Sequence, residues 1–441
     1  DSSAVGAQLN GTNDVVQVAS TDYAFAAQRA DGSVVTWGYS SLYGNSFALL
    51  AQLDGTNDVV QVFSTDWAFA ALRADGSVIT WGYSRLGGDS FDVAAEINGT
   101  NDVVQVCATD RAFAALRADG SVITWGDFAR GGDSSAVAAA LNGTNKVVQV
   151  FSTQGAFAAV RADGSVVTWG DSSSGGDSSA VTAGLNGTNT VVQVFSTQGA
   201  FAAVRADGSV VTWGDSSSGG DSSAVAAGIN GTKKVLQVFS TQGAFAALRA
   251  DGSLVTWGDS LRGGNSFAVA AQLDGTNDVV QVFSTGSAFA ALRTDGSVIT
   301  WGSSSSGGNS SAVAAQLDGT NEANDVVQVF STGSAFAALR TDGAVITWGS
   351  SSSGGNSSTV AAKINGANDV VRVFGTWGAF AALRADGSVV TWGHSSYGGD
   401  SSAVAAQLDG TNDVVQVFST DWAFAALRAD GSVVTWGHSS Y

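Results

Sequence analysis

The chain has no proline and no methionine, one cysteine, two histidines and few charges. Each scarcity excludes something. Without proline, every reversal must be made by Gly, Asn and Asp, and no strand carries a proline to protect its edge. A single cysteine, Cys107, excludes an internal disulfide. It stands in the slot that Phe63, Phe151, Phe195 and Phe239 fill in sister segments, so a small buried hydrophobe is expected there and not a reactive thiol. His394 and His438 share one repeated position, expected on a solvated loop, and no Cys/His cluster has metal-ligand spacing. Only 19 basic residues stand against 38 acidic ones, a net charge of −19. A chain this acidic repels phosphate backbones, which argues against nucleic acid as a direct partner. No apolar run reaches membrane length, so no membrane insertion is expected. The start at Asp1, without a signal-peptide pattern, reads as a processed product or an excised portion.

What is there instead is repetition. The stretch Asp75-Gly76-Ser77-Val78-Ile79-Thr80-Trp81-Gly82 comes ten times, its tryptophans at Trp37, Trp81, Trp125, Trp169, Trp213, Trp257, Trp301, Trp348, Trp392 and Trp436. Eight of the nine intervals are 44 residues; the ninth is 47, lengthened by Asn321-Glu322-Ala323-Asn324. A period of this size marks a propeller, solenoid or array, so residues 1–441 read as a single array of ten units. Residues 151–181 and 195–225 are identical over 31 positions, the trace of recent duplication. Such a chain suits a spacer or multivalent surface better than one active site.

In the second copy, Ser46 to Leu53 follows an Asn and runs into Asp-Gly. A short two-turn helix is expected, with an irregular outer strand as the competing reading. Val59 to Phe63, Ala68 to Arg73 and Val78 to Trp81 read as strands, the last two joined by a tight turn centred on Asp75-Gly76. That turn would set Leu72 opposite Ile79 and Ala70 opposite Trp81, sharing one face. Phe69, Ala71, Val78 and Thr80 would take the other. Both faces are largely apolar, so neighbouring repeats must cover both, the alanines admitting a neighbour's Phe or Trp. The fold class expected is all-β with at most one short helix per repeat: tandem 44-residue repeats forming a β-propeller-like ring or an open spiral of ten blades. Ten arginines, among them Arg73, Arg117 and Arg293, each precede an Asp by two positions, which predicts a ladder of hairpin-end ion pairs between repeats.

Ala71-Leu72, Asp75-Gly76, Val78, Thr80-Trp81-Gly82 and the pair Gly87-Gly88 recur throughout, and the pattern resembles the repeats of the regulator of chromosome condensation family. The wording is closest to Trp-Gly repeat arrays of large bacterial and dinoflagellate proteins. The resemblance implies a β-propeller with about one blade per repeat. The sequence departs from the family in carrying Gly-Gly-Asp-Ser (Gly131 to Ser134) where Gly-Gln-Leu-Gly is usual, and no histidine in Ser64 to Phe69. Nucleotide exchange on a small GTPase is therefore not carried over. Ten units also exceed the usual four to eight blades. The phase of the two ends would allow ring closure or head-to-tail self-association with another array.

No residues break the repeat in a catalytic pattern, so a non-enzyme is expected. Recurring Asp and Asn in Gly-Gly-Asp-Ser-Ser and Asn-Gly-Thr-Asn-Asp offer oxygens of the kind Ca2+ takes, though turn capping accounts for them as well; no other cofactor is expected. Variation concentrates in two short loops. The first contributes Tyr23, Trp67, Arg111, Trp377 and Trp422; the second, after Trp-Gly, contributes Tyr39, Tyr83 and Tyr397. Sister repeats place Gly and Ser in these slots, so the aromatics are not core requirements, and exposed loop aromatics are what binding surfaces use. The leading expectation is a repeat scaffold for protein–protein contact or adhesion, at a cell surface or in an extracellular assembly. The alternatives are an intracellular (cytoplasmic) propeller adaptor and a carbohydrate-binding propeller that takes a glycan on Trp67, Trp377 and Trp422.

Overall fold

The structure, a computed structural model, describes Val5, Gln8 and residues 15–38, 51–320, 325–365 and 370–438. It is all-β: ten three-stranded antiparallel sheets, one per repeat. The described residues divide into two compact units, one up to Asp221 and one from Ser222 onward, with five sheets in each. None of the described helices is long and apolar enough to cross a membrane.

The fourth repeat shows the plan. Its strands run Val147–Ser152, Ala156–Arg161 and Val166–Gly170. The first is rich in valine and buries Val147 and Val150, with Val148 and Gln149 exposed between them at a register shift. The second is nearly all small or apolar and buried throughout except at Arg161. Phe157 pairs with Trp169 across the hairpin, and their rings stack 5.2 Å apart. Below them lies the previous repeat's face: Ala112, Ala114, Leu116 and Val122 meet Phe157 and Trp169, with Leu141, Val147 and Val150 closing the layer. Large side chains thus pack onto a neighbour's alanines, as expected, and the same core recurs between successive repeats inside each unit. The indole Nε1 of Trp169 donates to the Gly131 carbonyl at 3.1 Å. The first strands of successive repeats are tied as well: the Gln105 amide donates to the Val150 carbonyl and accepts from the Val150 N–H, at 3.2 and 3.3 Å.

The hairpin register differs from the sequence expectation by one residue. Leu72 faces Val78, Ala71 faces Ile79, Ala70 faces Thr80 and Phe69 faces Trp81. Phe69, Ala71, Ile79 and Trp81 therefore pack toward the preceding repeat, while Ala68, Ala70, Leu72 and Val78 pack toward the following one. The reason lies in the turn. The N–H of Gly76 donates to the Arg73 carbonyl, the N–H of Arg73 donates to the Ser77 carbonyl, and Gly76 has φ +75°. That is a three-residue loop with a left-handed glycine at its end, not a two-residue turn centred on Asp-Gly. An odd loop flips every side chain to the other face.

Two further expectations change. Among the described residues, the ion pairs seen at hairpin-end arginines lie within one hairpin and not between repeats: Arg293 reaches Asp295 at 3.6 Å and Arg384 reaches Asp386 at 3.6 Å, while Arg73 Nε donates to Ser77 Oγ at 2.7 Å. Asp75 Oδ1 accepts from both the N–H and Oγ–H of Ser77, so the carboxylate is occupied in holding the turn. The Ala-rich segment is mostly 3-10 helix, as in Ser135–Ala140; short α-helical turns occur at Ala226–Ile229 and Ala361–Ile364. Single bridges such as Ser121 to Asn142 keep a trace of the competing outer strand.

Candidate functional site

In the repeats whose two variable loops are both described, one threonine brings those loops side by side. Thr65 Oγ1 accepts from the Ala68 N–H at 2.9 Å, fixing the first loop. The same hydroxyl donates to the Leu86 carbonyl of the second loop at 3.2 Å. The N–H of Tyr83 donates to the Trp67 carbonyl at 3.0 Å, completing the stitch. Equivalent bonds run from Thr109 to Arg130 and from Thr376 to Tyr397.

Successive first loops are then joined to one another. The N–H of Asp22 donates to the Asp66 carbonyl, that of Asp66 to Asp110, that of Asp110 to Gln154 and that of Gln154 to Gln198. In the other unit a second line runs from Gln242 through Gly286, Gly333 and Trp377 to Asp421. These bonds use only main chain, so side chains in the first loop are free to vary without loss of the scaffold. Variation at those positions in the sequence is the expected mark of such an arrangement.

Four of the residues singled out from sequence come together in the first unit. Tyr23 and Trp67 lie 5.2 Å apart between ring centroids, and Trp67 meets Tyr83 edge-on at 6.5 Å. Trp67, Tyr83 and Arg111 line a groove of about 650 Å3, together with Arg85, Leu86 and Phe128. Phe128 is 75% exposed, a large apolar side chain with nothing to bury it. Arg111 approaches Asp127 at 3.9 Å, while Arg85 makes no ion pair among the described residues. Beneath the groove, Asp66 is pushed up to about 6 by burial and by the Asp110 and Asp22 carboxylates, with Arg111 opposing. Burial raises Asp110 too, against the pull of Arg130 and Arg111.

The second unit holds a different aromatic set. Tyr397 stacks on Trp422 at 4.5 Å, His394 meets Tyr397 edge-on at 5.1 Å, and His438 meets Trp422 edge-on at 5.9 Å. The two histidines expected merely on solvated loops therefore flank a four-ring column. Their signal was available: all four rings fall in the variable loops of the last two repeats. Trp377 sits elsewhere, 46% exposed, at a recess of about 350 Å3 lined by Gly333, Gly375 and hydroxyls including Thr332 and Ser419. Tyr39 lies outside the described residues.

Among the described residues, no group of three or more His, Cys, Asp or Glu is arranged to hold a metal ion. The Asp and Asn of the candidate calcium loops are used locally: Asp133 Oδ1 accepts from the Ser135 N–H and Asn142 Oδ1 from the Thr144 N–H.

No model of a known protein family matches the chain, and no curated protein matches it. Solved structures do. The CRINKLY WD40 ectodomain of the Arabidopsis thaliana receptor kinase ACR4 shares 16% identity over 66% of this chain and 96% of its own, with a TM-score of 0.33. Prp20p of Saccharomyces cerevisiae, whose structure is described with its binding to Gsp1p and histones, shares 16% over 56% and 72%, with a TM-score of 0.36. Prp20 is yeast RCC1, so the family whose motifs this sequence resembles is among these neighbours. The computationally designed Ika8 protein shares 13% over 77% and 97%, with a TM-score of 0.31. At such identities and scores, function has to be argued from this chain's own residues.

Proposed function

We propose that the protein is a non-enzymatic repeat scaffold that contacts other proteins through its variable loops, in a cell-surface or extracellular assembly. The observation that carries this reading is the groove of Trp67, Tyr83, Arg85, Arg111 and Phe128. Trp, Tyr and Arg are the residues that dominate binding energy at protein interfaces, and surfaces rarely expose them together without a partner. The framework gives no reason of its own for them: Arg, Gly and Ser occupy the Trp67 slot at Arg111, Gly155 and Ser287, and Ser or Ala occupies the Arg85 slot at Ser173 and Ala129.

The test follows from those substitutions. Trp67→Gly combined with Arg111→Glu copies a sister repeat at one position and reverses a charge at the other, so the fold is retained. Cross-linking on host cells, with partners mapped to groove residues, is expected to lose those partners in the variant. Loss of one hot-spot residue costs about 2 kcal/mol or more, roughly 30-fold in affinity. Identical partners for both chains would end the proposal. A second reading, glycan binding, is favoured by Trp377 standing exposed beside serine and threonine hydroxyls; an empty glycan array would remove it.

A further inference from the structure

Resting on that reading of the groove, we propose that its partner is a second copy of this chain, which inserts the loop Asp89-Ser90-Phe91-Asp92. Phe91 is 84% exposed. It tops a single 3-10 turn, Phe91–Val93, whose backbone is fixed by Asp89 Oδ1 accepting the Phe91 N–H at 2.9 Å. Asp92 is exposed beside it. Sister repeats carry Ser135, Ser179, Ser223, Ser311, Ser358 and Ser402 in the Phe91 slot, so the fold does not require an aromatic ring here. An exposed phenylalanine between two carboxylates is the complement of what the groove offers: aromatic walls from Trp67, Tyr83 and Phe128, with Arg85 and Arg111 at hand.

Charge makes the match selective. Ten of the 19 basic residues sit at hairpin ends, leaving five arginines elsewhere, and Arg85, Arg111 and Arg130 are three of those five. They fall in two adjacent repeats of a chain whose net charge is −19. Arg130 is paired with Asp171 at 3.4 Å and Arg111 leans toward Asp127 at 3.9 Å, so two copies repel generally and attract where Arg85, which has no ion pair among the described residues, meets an acidic loop. The other described exposed phenylalanine of this slot, Phe267, lies between Ser266 and Ala268 and lacks the carboxylates, although it is 87% exposed. The contact joins a groove to a loop, two different surfaces, so each copy keeps one free end and chains of copies can grow.

Sedimentation velocity over a concentration series tests this on the full chain. The wild-type protein is expected to exceed 44.2 kDa in weight-average mass as concentration rises, with the association weakened by salt. Phe91→Ser and Arg85→Glu, both at positions where sister repeats differ, are each expected to raise the dissociation constant at least tenfold. Mixing the two variants restores one intact groove and one intact loop, so the mixture is expected to form dimers and stop there. Arg85→Glu with Asp92→Arg in one chain should recover association by charge reversal. A wild-type chain that stays monomeric to about 1 mM, or variants that associate as it does, overturns the inference. If copies stay apart while groove residues still cross-link to other host proteins, the inference falls and the protein-contact reading stands.

Discussion

Replacing Gly131 with alanine probes the packing between the third and fourth repeats more sharply than any change to a large side chain. Gly131 has φ +97°, and a Cβ there would lie 2.6 Å from Cδ2 and 2.8 Å from Cε2 of Phe157. Phe157 is fully buried against alanines, so its ring has no direction in which to retreat. The left-handed backbone costs alanine about 1 kcal/mol or more, and wedging a methyl into a close-packed core costs about 1–3 kcal/mol. The sum is about 2–4 kcal/mol, felt locally because repeats are stabilised by nearest neighbours. Amide exchange in Ala156–Arg161 and Val166–Gly170 reads it directly, and roughly 30- to 700-fold faster exchange is expected at those strands. Ser135→Ala, on an exposed turn, is the control and should change nothing. Phe157→Leu placed behind Gly131→Ala should return part of the loss, since it removes the atoms in collision. Unchanged exchange in the single variant, or strict additivity in the double, would refute the clash argument.

The Asp66 carboxyl predicts a pH dependence. Its folded value of about 6 lies above the ordinary 3.8, so the stability it contributes is full below about 3.8 and is lost as pH rises through about 6. Asp66→Asn should therefore be the more stable chain at pH 7.5 and lose that advantage near pH 4; partial solvation limits the gain to about 1–2 kcal/mol. Thermal melts at the two pH values check it, and an advantage that grows on acidification would contradict it. Cys107, pushed up to about 12 by burial, should resist iodoacetamide at pH 8 in the folded chain and label readily in urea. Labelling of the native protein at the rate of a free thiol would count against that.

The strands, the ten-fold repetition and the large-against-small packing were legible in the chain because period and composition are local properties. Trp81 and Phe69 announce their burial by recurring unchanged. The register between them was not legible. It turns on whether the loop between Leu72 and Val78 closes with an even or odd count, which the Arg73-to-Ser77 hydrogen bond and the left-handed Gly76 decide. The hairpin-end arginines misled for a related reason: the recurring spacing suggested pairs between repeats, whereas the pairs seen close within one hairpin, Arg293 on Asp295, or go through the turn serine, as Ser77 takes both Arg73 and Asp75.

The candidate site divides in the same way. The sequence by itself determined which positions are released from the core, because Gly, Ser, Arg and Trp alternate at the slot of Trp67 while Ala68 and Phe69 beside it never change. Only the tertiary structure decided which of those released side chains share a surface. Thr65 joins two loops 21 residues apart, and main-chain bonds from Asp22 to Asp66 to Asp110 line up loops 44 residues apart. Those bonds involve atoms that every residue possesses, so they leave no trace in residue identity. Distance along the chain says nothing of them; the stacking of one sheet on the next does.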